Sequence, residues 1–198
     1  FTAAGCGLCR KIGLTQTPME GYYNGLEFLK AVNTDASGLN LAQRCVAVIG
    51  GGNTAMDAAR SALRLGAEAH ILYRRSRGEM PATGEELEAA LEEGVHITYL
   101  IAPRALVVEN GKITALSIEH MRLGEKGPDG RRSVSGIEGS EELRSFDVVV
   151  AAAGQVADDC FLPDECTLAQ GEGVIEMGRV GDVPILAGGD FVTGPARM

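Results

Sequence analysis

The run Gly50-Gly51-Gly52-Asn53-Thr54-Ala55 is the part of this chain best suited to hold a phosphate. It follows the continuous apolar stretch Cys45-Val-Ala-Val-Ile49, which reads as a strand buried on both faces. Gly50 allows a tight turn off that strand, and Gly52 lets the backbone approach a pyrophosphate with no side chain in the way. Ala55 is small enough for a helix to pack on the strand. A helix opening at Asn53, the expected N-cap, would aim backbone N–H groups and its positive dipole end at the anion. Gly50, Gly51, Gly52, Asn53 and Thr54 are therefore the candidate dinucleotide-binding residues, in the strand–turn–helix context that such a motif requires.

The next strand, Ala69-His-Ile-Leu-Tyr73, runs into Arg74, Arg75 and Arg77, and no carboxylate stands between Glu68 and Glu79. A site for NAD(H) places an acid there to accept from the ribose 2′-hydroxyl. Guanidinium groups instead suit a 2′-phosphate, so Arg74 and Arg75 point to NADP(H).

Other reactive residues form no comparable pattern. Cys6-Gly-Leu-Cys9 has the spacing of a redox pair or half a metal site. No second pair completes it, and Cys45, Cys160 and Cys166 are poorly spaced for zinc or iron–sulfur ligation. His70, His96 and His120 sit in expected strands among apolar neighbours and read as strand residues without a catalytic partner. No Ser/His/Asp set or carboxylate pair emerges, so neither a catalytic residue nor a metal site is expected. Ala187-Gly-Gly189-Asp190 follows the apolar Val183-Pro-Ile-Leu186 and is a second glycine-rich strand end, where Gly189 and Asp190 could meet a ligand.

These residues need a scaffold. Ala55, Ala59, Leu63 and Gly66 keep helical spacing after the glycine turn. Thr83 and Glu86 form a capping-box pattern ahead of Leu87, Ala90 and Leu91, a short helix that Gly94 ends. A third strand is expected over Val95–Ile101. Asn110-Gly111 between Ala105–Val108 and Ile113–Ile118 marks a hairpin. A polar loop turning at Pro128-Asp-Gly130 leads on to a buried strand, Phe146–Val150. Residues 14–43 show little periodicity apart from Leu26, Phe28, Leu29 and Val32, and read as a connector with one short helix. The expected class is α/β: a Rossmann-like parallel sheet with helices and an antiparallel β-hairpin or meander layer.

Composition narrows the partners. The 198 residues carry a net charge of −9, which disfavours nucleic acid and anionic membrane surfaces. No apolar run is long enough to span a bilayer. Five irregularly spaced cysteines make no disulfide framework and suggest a reducing cytoplasm. Phe1-Thr-Ala-Ala-Gly5 echoes Val150-Ala-Ala-Ala-Gly154, each a strand running into small residues. The chain starts as if at a strand end and stops at Gly194-Pro-Ala-Arg-Met198, where a helix would begin. A piece of a longer polypeptide is expected.

Taken together, Val46–Asp57, Tyr73-Arg-Arg75, Met80-Pro-Ala82, Glu93-Gly-Val95 and Asp147–Gln155 closely resemble the glutamate synthase small (beta) subunit and its relatives, within the pyridine nucleotide-disulfide oxidoreductase superfamily. The resemblance implies an NADPH-dependent FAD enzyme with two dinucleotide-binding domains, the NADPH domain being inserted into the FAD domain. Residues 1–43 would then be a partial FAD-domain segment and connector, 44–154 the NADP(H)-binding domain, and 155–198 the return segment. Gly154 and Gln155 join the cofactor-binding set, and Asp190 would contact the flavin. Hydride would pass from NADPH to FAD, and electrons onward to an iron–sulfur domain or subunit. The FAD fingerprint and the family's cluster cysteines would lie in the remainder of the parent chain, so the fragment alone is expected to be inactive. Two alternatives differ in class: a thioredoxin-reductase-like disulfide reductase using Cys6 and Cys9, and a non-catalytic NADP(H)-binding regulatory module.

Overall fold

The computed structural model describes residues 1–15, 17–35, 38–82, 84–127, 130–167, 171 and 173–194. In chain order its first strands are β1 (Leu8–Cys9), β2 (Tyr22–Asn24), β3 (Cys45–Ile49), β4 (Glu68–Tyr73) and β5 (His96–Tyr99). There follow β6 (Ile101–Glu109), β7 (Lys112–Lys126), β8 (Arg132–Gly136), β9 (Glu142–Ser145) and β10 (Val148–Ala151). The last are β11 (Gln155–Val156), β12 (Ile175–Val180) and β13 (Val183–Ala187). The helices are α1 (Gly25–Asp35), α2 (Asn53–Arg64), α3 (Gly84–Glu92) and α4 (Asp190–Thr193). The chain divides into a larger unit, Lys11–Ala153, and a smaller one made of Phe1–Arg10 and Gly154–Met198.

The larger unit is built on a parallel sheet of order β2-β10-β3-β4-β5. From β3 the chain steps outward through β4 to β5, then returns to lay β10 on the other side of β3. That reversal creates a topological switch point between the carboxyl ends of β3 and β10, the place where open α/β sheets bind ligands. Alternation along β3 divides the core. Val46 and Val48 pack with the alanine face of α2, Phe28 of α1 and Leu87 of α3. Ala47 and Ile49 face the other way, against Ile113, Leu116 and Ile118. Those three belong to β7, the centre of an antiparallel layer in which it pairs with β6, β8 and β9. The layer covers the sheet face that a crossover helix would otherwise cover. Asn110 and Gly111 both have positive φ, 52° and 78°, as the expected two-residue hairpin requires.

Several expectations need correction. The stretch read as a connector contains β2, an edge strand of the main sheet, and α1 buries Phe28 completely. The expected third strand is interrupted at Leu100, where a φ of 56° turns the chain out of the parallel sheet and into β6. Strand β7 runs on to Lys126, into the segment read as a loop. The buried face of α2 is Ala55, Met56, Ala58, Ala59 and Ala62, wider than the stripe through Leu63 and Gly66. A helix lying on a sheet with neighbours on both flanks buries more than one narrow stripe. Thr83 and the Pro128-Asp129 turn lie outside the described residues.

The smaller unit has its own apolar cluster of Met177, Ala187, Phe191 and Val192. β12 and β13 pair antiparallel, and β1 pairs antiparallel with β11. Thr2 lies parallel to Ala187, its N–H donating to the Leu186 carbonyl at 2.8 Å. No helix among the described residues is long and apolar enough to cross a membrane.

One ion-pair cluster ties α2 to the end of α3. The Glu93 carboxylate accepts from Arg60 and, at 3.1 and 3.3 Å, from Arg64. The Arg60 hydrogen bond in particular holds the Glu93 carboxyl below its ordinary value of 4.5. A depressed folded-state value contributes stability above the unfolded-state range and loses it as pH falls through the folded one. The stability difference between the native chain and Glu93→Gln should thus be present at pH 7 and shrink progressively below pH 4.5. Urea unfolding of both proteins across that range checks it, and a difference independent of pH would contradict it.

Candidate functional site

Each glycine of the turn has a different physical reason to be glycine. Gly50 has φ +149°, and a Cβ there would stand 2.1 Å from the Ala152 carbonyl oxygen of the strand end across the switch point. A Cβ on Gly51 would run into the Tyr73 ring at 2.6 Å. At Gly52 the nearest atom would be Pro81 Cγ at 3.9 Å, so the space over this residue is open. Gly50 and Gly51 are small for the fold, whereas Gly52 leaves room for a ligand. Gly52, not the expected Asn53, is the N-cap of α2, and no side chain caps the helix. Asn53 is its first residue. The Gly52 carbonyl accepts from Ala55 and Met56 at 2.9 and 3.2 Å, which starts the helix immediately and leaves its N-terminal end facing the turn.

The segment around Met80-Pro-Ala82 supports this turn directly. The Ala82 N–H donates to the Gly51 carbonyl at 3.0 Å, and Met80 and Ala82 pack against the helical side of the core. Tyr73 carries the other flank: its ring lies under Gly51 and its hydroxyl donates to the Glu79 carbonyl at 2.7 Å. Burial raises the Tyr73 phenol above its ordinary value, partly offset by Arg75, so it stays a donor.

The basic loop after β4 is held in shape by Ser76 and Glu79. They make a capping box on the short 3-10 turn Arg77–Glu79, with the Ser76 N–H donating to the carboxylate at 3.1 Å. The Ser76 hydroxyl hydrogen bond is the main cause of a lowered Glu79 carboxyl, with help from Arg132 and Arg75. Arg75 Nε donates to the Arg132 carbonyl at 2.9 Å. Arg75 also borders a cavity of about 390 Å³, lined as well by Glu125 and Lys126 at the end of β7, Arg131, and Arg132 and Ser133 at the start of β8. The sequence reading missed this second basic strip. Its signal was Lys126 with the Arg131-Arg132 pair, but fifty-odd residues separate it from Arg75 and only the antiparallel layer brings the two together.

Gly50 to Thr54, Arg74 and Arg75 all belong to the larger unit, whereas Gly154, Gln155, Gly189 and Asp190 belong to the smaller one. Gly154 has φ +115° and its carbonyl accepts from the Arg10 N–H at 3.0 Å. Gln155 opens β11, and Gly189, with φ +67°, precedes Asp190 at the start of the four-residue α4. Cys6 and Cys9 are free thiols. The Cys6 thiol donates to the Asp190 carbonyl at 3.1 Å, and burial, with Asp190, raises it above its ordinary value.

Comparison with known proteins gives consistent results. The pyridine nucleotide-disulphide oxidoreductase family matches over residues 13–198. The NADP(+)-dependent formate dehydrogenase subunit beta of Moorella thermoacetica is 42% identical over 187 residues, covering 88% of this chain and 25% of that protein. The glutamate synthase [NADPH] small chain of Escherichia coli is 29% identical over 214 residues, covering 98% of this chain and 45% of that protein. Among solved structures, Mycobacterium tuberculosis FprA in complex with NADPH superposes with a TM-score of 0.75 at 17% identity, over 98% of this chain and 58% of that one. The chain thus spans a quarter to less than half of these two relatives.

Proposed function

The chain belongs to the pyridine nucleotide-disulphide oxidoreductase family, and on that premise we propose that it is the NADPH-binding part of a flavoprotein oxidoreductase. The observation that carries the proposal is the glycine turn at the switch point: two glycines locked by their neighbours and a third, Gly52, left open at the start of α2. That gap is a fit for a pyrophosphate, which needs backbone approach and a helix N-terminus. Gly50 to Thr54 would hold the pyrophosphate, and Arg74 and Arg75 the 2′-phosphate. The dinucleotide supplies a hydride and the parent's FAD accepts it.

This chain's residues bind and position; none of them needs to move a proton. Gly154 and Gln155 would add backbone contacts to the cofactors, and Gly189 with Asp190 would contribute to the flavin site. The rest of that site belongs to the remainder of the parent. In this proposal the NADP(H) domain is residues 44–154 together with β2 and α1, which join the same sheet and core, and residues 1–10 and 155–198 are flanking FAD-domain segments. An iron–sulfur domain or subunit receives the electrons, in the cytoplasm, where five free thiols are at home.

The test uses the parent polypeptide under anaerobic conditions. NADPH should bleach its flavin absorption, and Cys6→Ser/Cys9→Ser should leave the rate within about twofold, since no transition-state contact is lost. The isolated chain should bind NADPH without oxidising it. Absence of bleaching would refute the proposal, and a hundredfold loss in the cysteine variant would favour a disulfide reductase.

A further inference from the structure

The parallel sheet gathers a second group of reactive side chains at the end remote from the glycine turn. Cys45 opens β3 and pairs with Glu68, which opens β4; two residues on, His70 pairs with His96 of β5. Paired residues and residues two apart share a face, so all four side chains stand on one side of the sheet. One potential ligand atom from each of Cys45, Glu68 and His70 lies within 4.8 Å of the others. His70 Nε2 is 2.8 Å from Glu68 Oε1, and His96 Nε2 is 4.0 Å from the same oxygen. The two imidazoles stack with centroids 4.8 Å apart, and the Phe146 ring meets His70 edge-on at 5.7 Å.

We infer that Cys45, Glu68 and His70, with His96 taking the fourth position, form a binding site for a zinc-class divalent cation that ties β3, β4 and β5 together. The donor set decides the class. Thiolate, imidazole and carboxylate together suit a borderline-soft ion, whereas calcium and magnesium want oxygen alone. In a tetrahedral site with metal–ligand distances of about 2.0–2.3 Å, ligand atoms lie roughly 3.3–3.8 Å apart. The Cys45, Glu68 and His70 atoms, now within 4.8 Å of one another, would have to close by about an ångström, and His96 Nε2, 4.0 Å from Glu68 Oε1, would swing in as the fourth ligand. The ion replaces the Cys45 thiol proton, which leaves to solvent, and it displaces the His70–Glu68 hydrogen bond. One thiolate and one carboxylate then balance its two charges.

Access and support are both present. The Glu68 and His96 side chains are each 62% exposed, so an ion enters from solvent, while His70 is 24% exposed and already held by its ring contacts. Behind the site, Asp147 Oδ2 accepts the Cys45 N–H at 2.8 Å, and Arg44 lies 3.6 Å from the same carboxylate. Such an outer shell fixes the backbone from which the thiol projects. The five residues of β3 separate this site from Gly50 by about 16 Å, so it acts on the scaffold and not on the bound dinucleotide. The linear spacing of the cysteines hid it, because the ligands meet across strands.

The test is a titration of the 198-residue chain with Co²⁺, followed by displacement with Zn²⁺. One equivalent should give the thiolate-to-cobalt charge-transfer absorption, and Zn²⁺ should abolish it and raise the unfolding temperature. Cys45→Ser should remove the band. His96→Gln, at an exposed position, should weaken Co²⁺ binding at least about tenfold with no change in the unfolding temperature of the metal-free protein. This second variant keeps the test decisive if Cys45→Ser does not fold. No thiolate band in the native chain, or a band that survives both variants, would overturn the inference.

Discussion

Alanine at Gly50 is expected to abolish folding of the larger unit, whereas alanine at Gly52 is expected to leave it folded and remove nucleotide binding. The two positions differ by what a single methyl group would meet. At Gly50 it would overlap the Ala152 backbone oxygen at 2.1 Å, on a backbone with φ +149° that disfavours any side chain. The obstacle is main chain immediately after β10, so it cannot rotate away as a side chain would. A clash of that kind costs about 4 kcal/mol or more, a large part of a domain's total stability. At Gly52 the new methyl would make an ordinary 3.9 Å contact with Pro81. The folding cost is then limited to the poorer N-cap, about 1 kcal/mol. The methyl would occupy the space proposed for the pyrophosphate. Circular dichroism on heating, with calorimetric titration of NADPH, separates the two effects. Similar unfolding temperatures for both variants, or full NADPH affinity in Gly52→Ala, would contradict this division of roles.

The second large effect is expected at the basic loop. Arg74→Ala with Arg75→Ala should lower NADPH affinity by about a hundredfold or more while changing NADH affinity little. Each charge-assisted contact to phosphate contributes about 1.5–3 kcal/mol, roughly tenfold or more apiece. The loop is pre-shaped by the Ser76–Glu79 capping box and by the hydrogen bond of Arg75 to the Arg132 carbonyl. Little ordering therefore remains to be done on binding. Because Arg75 also braces the β7–β8 connection, the unfolding temperature of the double variant is the necessary control. Equal losses for NADPH and NADH would mean that the arginines hold the protein rather than the 2′-phosphate.

What could be read from the residues alone depended on how local the cause was. β3, the glycine turn, α2 and β4 were legible because a continuous apolar run, three glycines and a spaced alanine face each act within a few residues. The Asn110-Gly111 hairpin was legible for the same reason. β2 was not: Tyr22-Tyr-Asn24 has no apolar run, and it becomes a strand because β10 offers it a parallel edge more than a hundred positions later. Leu100 gives no hint of its left-handed backbone, which is imposed by the need to leave one sheet and enter another. Asn53 carries a favoured capping side chain, yet Gly52 takes the cap position and leaves the helix end bare. Of the proposed site, Arg74 and Arg75 are legible from their place after β4. The strip of Lys126, Arg131 and Arg132 is not, because it reaches Arg75 only through the register of the antiparallel layer.

Calorimetric titration of the unmodified chain with NADPH and NADH, side by side in the same buffer, tests the central claim most directly. The account predicts one NADPH bound per chain, with NADH weaker by at least about tenfold, the contribution of a single arginine–phosphate contact. Equal affinity for the two dinucleotides, or no binding of either to a folded chain, would contradict it.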